Sequence, residues 1–166
     1  DFSMEPETLE LEVGTIIAAT GFESFDPSVI PEYGYGVYPN VITAMELERL
    51  ANSAGPTVGR LIRPSDGQPP KSIAMVQCVG SRSPARAEPY CSNICCMNTV
   101  KDSLLLLEHY PDSDITVYYM DIRAFGKGFE ELLMRSKSNG VRYIRGLPGE
   151  VREDPASSNL WLTVEN

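Results

Sequence analysis

The stretch Ser72–Leu107, SIAMVQCVGSRSPARAEPYCSNICCMNTVKDSLLLL, constrains this chain more than any other. It holds all four cysteines, spaced Cys78-x12-Cys91-x3-Cys95-Cys96. An apolar run, Ile73-Ala74-Met75-Val76, leads into it, and an amphipathic run of helical spacing, Met97 to Leu107, leads out. Strand, turn, helix is the order in which Rossmann-type domains present a ligand. Here the turn offers thiols where such a domain usually offers glycines, which reads as an iron–sulfur site at the mouth of a βα unit.

Four interpretations of the thiols compete on spacing alone. Buried cysteines behave as small hydrophobes, but that does not explain clustering between a strand end and a helix start. Disulfides fit poorly, because adjacent Cys95 and Cys96 would close a strained ring. Zinc is often held by four cysteines, though usually as two C-x2-4-C knuckles, and the single histidine, His109, stands apart at the end of the helical run. A [4Fe–4S] cubane needs four thiolates at separate corners. Cys91 and Cys95 fall one turn apart if that stretch is helical, Cys96 points roughly 100° round from Cys95, and Cys78 reaches in from the strand. No ferredoxin spacing matches, so cluster, zinc and redox-active dithiol all stay open at this level.

The remaining chain reads as α/β. Leu9-Glu10-Leu11-Glu12-Val13 alternates like an exposed strand, and Thr15 to Gly21 reads as a buried strand ending in small residues. Phe22 to Pro39 is an irregular loop, and Tyr33-Gly34-Tyr35-Gly36 within it is a turn without phosphate-cradle spacing. Thr43-Ala44-Met45-Glu46 forms a capping box opening a helix over Ala44 to Asn52, with Met45, Leu47, Leu50 and Ala51 expected inside. Pro56 to Lys71 reads as a linker. Beyond the cysteines come a strand over Ile115 to Met120, a helix over Phe129 to Ser138 with Phe129, Leu132 and Leu133 inward, and a strand over Val141 to Ile144. One further extended segment lies around Leu160 to Val164. Strand, helix, strand, helix, strand favours parallel pairing.

Composition bounds the function. At 166 residues the chain can bury a core without disulfide staples. A net charge of −9 argues against nucleic acid or an anionic membrane as partner, and no apolar run approaches the roughly 20 residues of a spanning helix. The N-terminal sequence DFSMEPETLELEVG has neither the basic nor the apolar part of an export signal, so a reducing, cytoplasmic setting is expected. It runs almost directly into a strand, which suggests a piece of something longer.

Two motifs resemble known families. Gly14-Thr15-Ile16-Ile17-Ala18-Ala19-Thr20-Gly21-Phe22 resembles the ATG motif of two-dinucleotide-domain flavoproteins, which closes the FAD domain against the flavin. Cys78-Val79-Gly80-Ser81-Arg82 followed by Tyr90-Cys91-Ser92-Asn93-Ile94-Cys95-Cys96-Met97 closely resembles the A subunit of heterodisulfide reductase and its relatives, among them flavoprotein subunits of quinone-interacting complexes of sulfur metabolism. The similarity continues through Asn40-Val41-Ile42-Thr43-Ala44-Met45-Glu46 and Met120-Asp121-Ile122-Arg123-Ala124-Phe125-Gly126-Lys127-Gly128. The resemblance implies that Cys78, Cys91, Cys95 and Cys96 ligate a [4Fe–4S] cluster beside an FAD. It implies that Ala19, Thr20 and Gly21 lie at the flavin, and that the core is like thioredoxin reductase with an altered second dinucleotide domain. The GxGxxG that would hold the FAD pyrophosphate is absent, which is expected of a middle fragment. The turn Val79 to Ser83 also lacks GxGxxG, so nothing in it supports a pyridine nucleotide.

The expectation is thus an α/β chain: residues 1–55 as a small C-terminal part of an FAD-domain-like lobe, 56–71 as linker, and 72–166 as a Rossmann-like lobe with a degenerate second dinucleotide site. Its function would be electron transfer within an FAD/[4Fe–4S] oxidoreductase subunit, in contact with other subunits of a redox complex and with no turnover by itself. Arg82, Arg86 and Lys101 could offset negative charge, and Lys101, one turn beyond Met97, could stabilise reduced flavin. Asp121 ends a strand where Rossmann proteins place a ribose-binding acid, and without the glycine fingerprint it reads as a turn residue. The rivals are a zinc-stapled or dithiol interaction module of a flavoprotein, and a thiol–disulfide oxidoreductase using Cys95 and Cys96.

Overall fold

A computed structural model of the chain describes residues 3–85 and 88–165. Two 3-10 turns (Pro27–Val29 and Pro31–Tyr33) precede helix α1 (Ala44–Ala51). Strand β1 (Ser72–Val76), helix α2 (Cys95–His109), β2 (Asp114–Tyr119), α3 (Phe129–Ser138) and β3 (Arg142–Arg145) follow, then the strands β4 (Pro148–Glu153) and β5 (Leu160–Val164). β1, β2 and β3 form a parallel sheet in that order, with a helix in each connection as parallel pairing requires. β4 and β5 make a separate antiparallel pair.

β2 is the central strand, and its sequence shows why. Ile115, Thr116 and Val117 are all buried, the apolar, β-branched character of a strand covered on both faces. Leu61, Leu106, Ile115, Val117 and Val141 form the core, with Leu47 and Leu50 of α1, Ile73 and Met75 of β1, Leu107, Tyr110 and Tyr143 packed against it. The Leu61 N–H donates to the Tyr110 hydroxyl (2.6 Å), tying the segment after α1 to the end of α2. α3 joins α2 through a buried hydroxyl chain, in which Ser103 meets Ser136 at 3.0 Å and Ser136 meets Tyr143 at 2.8 Å. Each hydroxyl can both donate and accept, so burial leaves none of them unpaired.

The Thr43 capping box forms as its sequence indicates: the Glu46 N–H donates to Thr43 Oγ1 (3.2 Å) and the Thr43 N–H to Glu46 Oε2 (2.6 Å). Gly34 (φ 71°) and Gly36 (φ 78°) form the expected turn, and Gly128 (φ 79°) supplies the left-handed residue opening α3. No helix among the described residues is long and apolar enough to cross a membrane.

Several expectations are corrected. Leu9–Val13 and Thr15–Gly21 are not strands; they run irregularly with their apolar side chains in solvent, Ile16 and Ile17 being 86% and 85% exposed. A strand needs a ladder beside it, and no segment among the described residues pairs with these two. The FAD-domain-like portion expected at the N-terminus therefore has no formed sheet here. Met45 is exposed, because Leu47 and Leu50 take the inward face and Met45 sits roughly 200° round from Leu47. Strand β3 begins at Arg142, with Val141 buried as the residue entering it. β4 has no forerunner in the sequence pattern: Pro-Gly-Glu-Val-Arg-Glu is poor in strand-forming residues, and pairing with β5 determines it.

The buried centre of β2 leads to a test. Ile115→Ala should cost about 2–5 kcal/mol of unfolding free energy, whereas Trp161→Ala, at a side chain 70% exposed, should change it by less than about 0.5 kcal/mol. Urea unfolding followed by far-UV circular dichroism measures both.

Candidate metal centre

Ligands of parallel α/β sheets bind beyond the carboxyl ends of the strands, and the strand register sets what stands there. Val76 pairs with Tyr118, and the Gln77 N–H donates to the Tyr118 carbonyl (2.9 Å). Cys78 and Asp121 therefore leave neighbouring strands at the same edge of the sheet. α2 begins there too, with Cys95 as its first residue and no side chain capping its N-terminus. The helix supplies unpaired N–H groups and the positive end of its dipole, both favourable to thiolate.

The turn between β1 and α2 is bent by backbone conformations that side chains rarely adopt. Cys78 (φ 58°), Arg82 (φ 58°) and Asn93 (φ 63°) are three of the five non-glycine residues with positive φ among those described, and Gly80 (φ 80°) lies between the first two. Each such residue costs of order 1–3 kcal/mol and persists only where its surroundings hold it. Here the Ser81 N–H donates to the Cys78 carbonyl (3.1 Å), the Arg82 N–H to the Tyr90 carbonyl (3.1 Å), and the Glu88 N–H to the Gly80 carbonyl (3.3 Å). Phe25 closes the turn from outside, its ring standing where a Cβ on Gly80 would be, 2.2 Å away.

All four cysteines are free thiols, and they influence one another electrically. Cys95 is held low, to about 5, chiefly by a hydrogen bond from the Cys96 thiol, with the Ser92 hydroxyl and the N–H groups of Cys78 and Cys96 adding to it. The same bond, with burial second, pushes Cys96 well up, against the Arg123 N–H. Burial raises Cys78, followed by the neighbouring Cys95, while the Arg82 guanidinium opposes both. Cys91 acts on Cys78 from the loop, its Sγ accepting from the Asn93 N–H at 3.4 Å. Cys91 is not on a helical turn below Cys95, since the helix starts only at Cys95. The sulfurs thus share one edge, without three or more metal-ligating side chains among the described residues being grouped as a single-ion site.

Other expected residues are placed as follows. Arg82 pairs with the Asp121 carboxylate, and its guanidinium acts on the Cys78 thiol. Arg86 lies outside the described residues. Lys101 Nζ bridges Glu48 of α1 (3.0 Å) and the buried Asp102 (3.1 Å). Burial alone would lower the Lys101 ammonium, but the hydrogen bonds it donates to both carboxylates turn the shift upward. Asp102 is raised by its burial despite Lys101, and Asn98 also donates to it at 3.2 Å. Ala19, Thr20 and Gly21 are exposed, with open space around the Cβ position of Gly21; the structure does not bring them to the thiols. Gly126 and Gly128 form the loop before α3.

Sequence reasoning missed Asp121, Arg123 and Ser92 as neighbours of the sulfurs. It also missed Gln77, which is buried, donates to the Thr99 hydroxyl at 2.6 Å, and keeps Oε1 without a partner one residue before Cys78. Only Asp121 carried a signal, its place at the end of the second strand. Four free thiols, an uncapped helix start, and converging N–H, hydroxyl and guanidinium donors suit an anionic, thiolate-bound group.

The fold and the site define the class, a Rossmann-like βαβαβ domain whose ligand edge presents thiols in place of a glycine-rich turn. Comparison with known proteins names the family. The chain is 57% identical over its whole length to one of the iron-sulfur A subunits of CoB–CoM heterodisulfide reductase from Methanopyrus kandleri, 26% of which it covers. It is 53% identical over 98% of its length to the A subunit of the H(2):CoB-CoM heterodisulfide,ferredoxin reductase of Methanothermobacter thermautotrophicus, covering 24% of that protein. It is 52% identical over 91% of its length to the A subunit of the Ferredoxin/F(420)H(2)-dependent CoB-CoM heterodisulfide reductase of Methanosarcina acetivorans, covering 19%. No protein-family model matches. The chain is thus homologous over its whole length to heterodisulfide reductase A subunits, and it spans about a quarter of the length of these curated relatives.

The contrast between Cys95 and its neighbours can be measured. In reduced, metal-free protein, iodoacetamide should alkylate Cys95 at a rate that persists down to about pH 6, because the thiolate is the nucleophile and a group held near 5 remains ionised there. Cys78 and Cys96, both raised, should label only in alkali. Peptide mass spectrometry across pH reads the outcome, and Cys95 labelling that fades below about pH 8, as for an ordinary thiol, contradicts it.

Proposed function

We propose that this chain is an electron-transfer segment of an FAD/[4Fe–4S] oxidoreductase subunit of heterodisulfide reductase type, with Cys78, Cys91, Cys95 and Cys96 as the cluster ligands. The observation that carries the reading is that four free thiols lie about the ligand edge of a parallel sheet and act on one another electrically, without being grouped, among the described residues, as a single-ion site, in a chain whose relatives include proteins named iron-sulfur subunits. When bound, the cluster supplies single-electron transfer. The residues of the chain hold it: Cys78 from the β1 end, Cys91 from the loop, and Cys95 and Cys96 from the first turn of α2. The N–H groups around Cys95 and the guanidinium of Arg82 favour the anionic sulfur. Other subunits of a redox complex donate and accept the electrons, the setting is cytoplasmic, and the segment alone has no turnover.

Ala19, Thr20 and Gly21 are proposed to meet FAD in the full-length protein, and Lys101 to stabilise reduced flavin. Glu48 and Asp102 flanking Lys101 keep its ammonium protonated and offset part of the charge it offers.

Anaerobic reconstitution with iron and sulfide should give about four of each per chain with broad visible absorption, and Cys→Ser at any of the four positions should abolish or alter that spectrum. Bound zinc without sulfide supports instead a zinc-stapled module, and reversible loss of two thiols without metal supports a dithiol. In the full-length protein, Lys101→Ala should lower the flavin potential; an unchanged potential removes the flavin role of Lys101.

A further inference from the structure

Arg82 and Asp121 meet across the ends of the two strands that frame the thiols. Arg82 lies on the turn after β1, where its N–H donates to the Tyr90 carbonyl (3.1 Å) and its backbone is left-handed (φ 58°). Its guanidinium forms an ion pair with Asp121 Oδ1 and acts electrostatically on the Cys78 sulfur. Asp121 in turn reaches the other side of the site. Its backbone carbonyl lies 3.8 Å from the Cys96 sulfur, and its carboxylate lies 3.9 Å from Nε of Arg123, whose N–H favours the Cys96 thiolate. One arginine and one carboxylate thereby link Cys78 on the β1 side to Cys96 on the α2 side.

We infer that Arg82 and Asp121 form a charge-balanced clasp that positions Cys78 and Cys96 and sets the reduction potential of the cluster they hold, Asp121 restraining how much of the Arg82 charge the Cys78 sulfur receives. The inference rests on the cluster reading above. The side chains of Arg82 and Asp121 are 26% and 47% exposed, and an ion pair of that exposure contributes little to folding. Its effect falls on the group beside it, where a positive charge acts on the sulfur proposed as a ligand. Reduction adds negative charge at the cluster. A cation at Cys78 stabilises the reduced state, and a carboxylate that neutralises the cation withholds that stabilisation.

The two members of the clasp must therefore act with opposite sign. Arg82→Gln in the full-length protein should lower the cluster potential, making the reduced-to-oxidised ratio at a fixed poise about tenfold smaller, which is about 59 mV for a one-electron couple. Asp121→Asn should raise it by a similar factor, and Arg82→Lys, which keeps the charge, should stay closer to the unaltered protein than Arg82→Gln. The readout is an anaerobic redox titration followed by electron paramagnetic resonance, on the signal that Cys78→Ser abolishes or changes. If Arg82→Gln takes up no iron, Arg82→Lys and Asp121→Asn carry the same test, because only Asp121→Asn should shift upward. Potentials that move in the same direction in both charge-removing variants, or in neither, overturn the clasp while leaving the cluster in place. Failure of the unaltered full-length protein to bind iron and sulfide at the four thiols overturns the proposed function and the clasp with it.

Discussion

The site depends on the parallel pairing of β1 with β2. The register brings the segments carrying Cys78 and Asp121 to one edge: with Val76 opposite Tyr118, the strands end at the same level and everything beyond them shares that edge. A slip of one residue would turn alternate side chains to the opposite face and separate the loop thiol from those on the helix. The register is held by the buried, β-branched centre of β2, which cannot shift without exposing Ile115 or Val117.

On that frame the chain surrounds the sulfurs with polar and charged groups. The start of α2 contributes N–H groups and dipole to Cys95, the strained turn after β1 aims Cys78 and Arg82, and the residues after β2 return a carbonyl and an N–H to Cys96. The left-handed backbone at Cys78, Arg82 and Asn93 is the local cost of bending a short connection back over the strand end. Hydrogen bonds across the turn and the Phe25 ring against Gly80 offset it. Cys78, proposed as a cluster ligand, is itself one of the strained residues.

The N-terminal segment shows where sequence pattern stops being decisive. Leu9–Val13 and Thr15–Gly21 have the alternation and apolar runs of strands, yet they form none. Periodicity describes which face a strand would bury but does not supply the neighbour it would bury against. β4 shows the opposite case, with little strand character of its own and a ladder formed because β5 lies alongside. Ala19, Thr20 and Gly21 stay exposed in this structure, whereas Asp121, a turn residue by sequence pattern, lies beside Arg82 and the Cys96 sulfur.

Local chemistry was legible from the residues themselves. The alternation of strand and helix after Ser72, the Thr43 capping box, the glycine turns and the candidacy of the four cysteines as ligands all depend on neighbours within a few positions, so the sequence alone determined them. What the sulfurs meet required the tertiary structure: the register of β1 on β2, the start of α2 at Cys95 rather than earlier, and the reach of Arg82 to Asp121. Those partners are far apart in the chain, and only the packing of β2 between its neighbours brings them together.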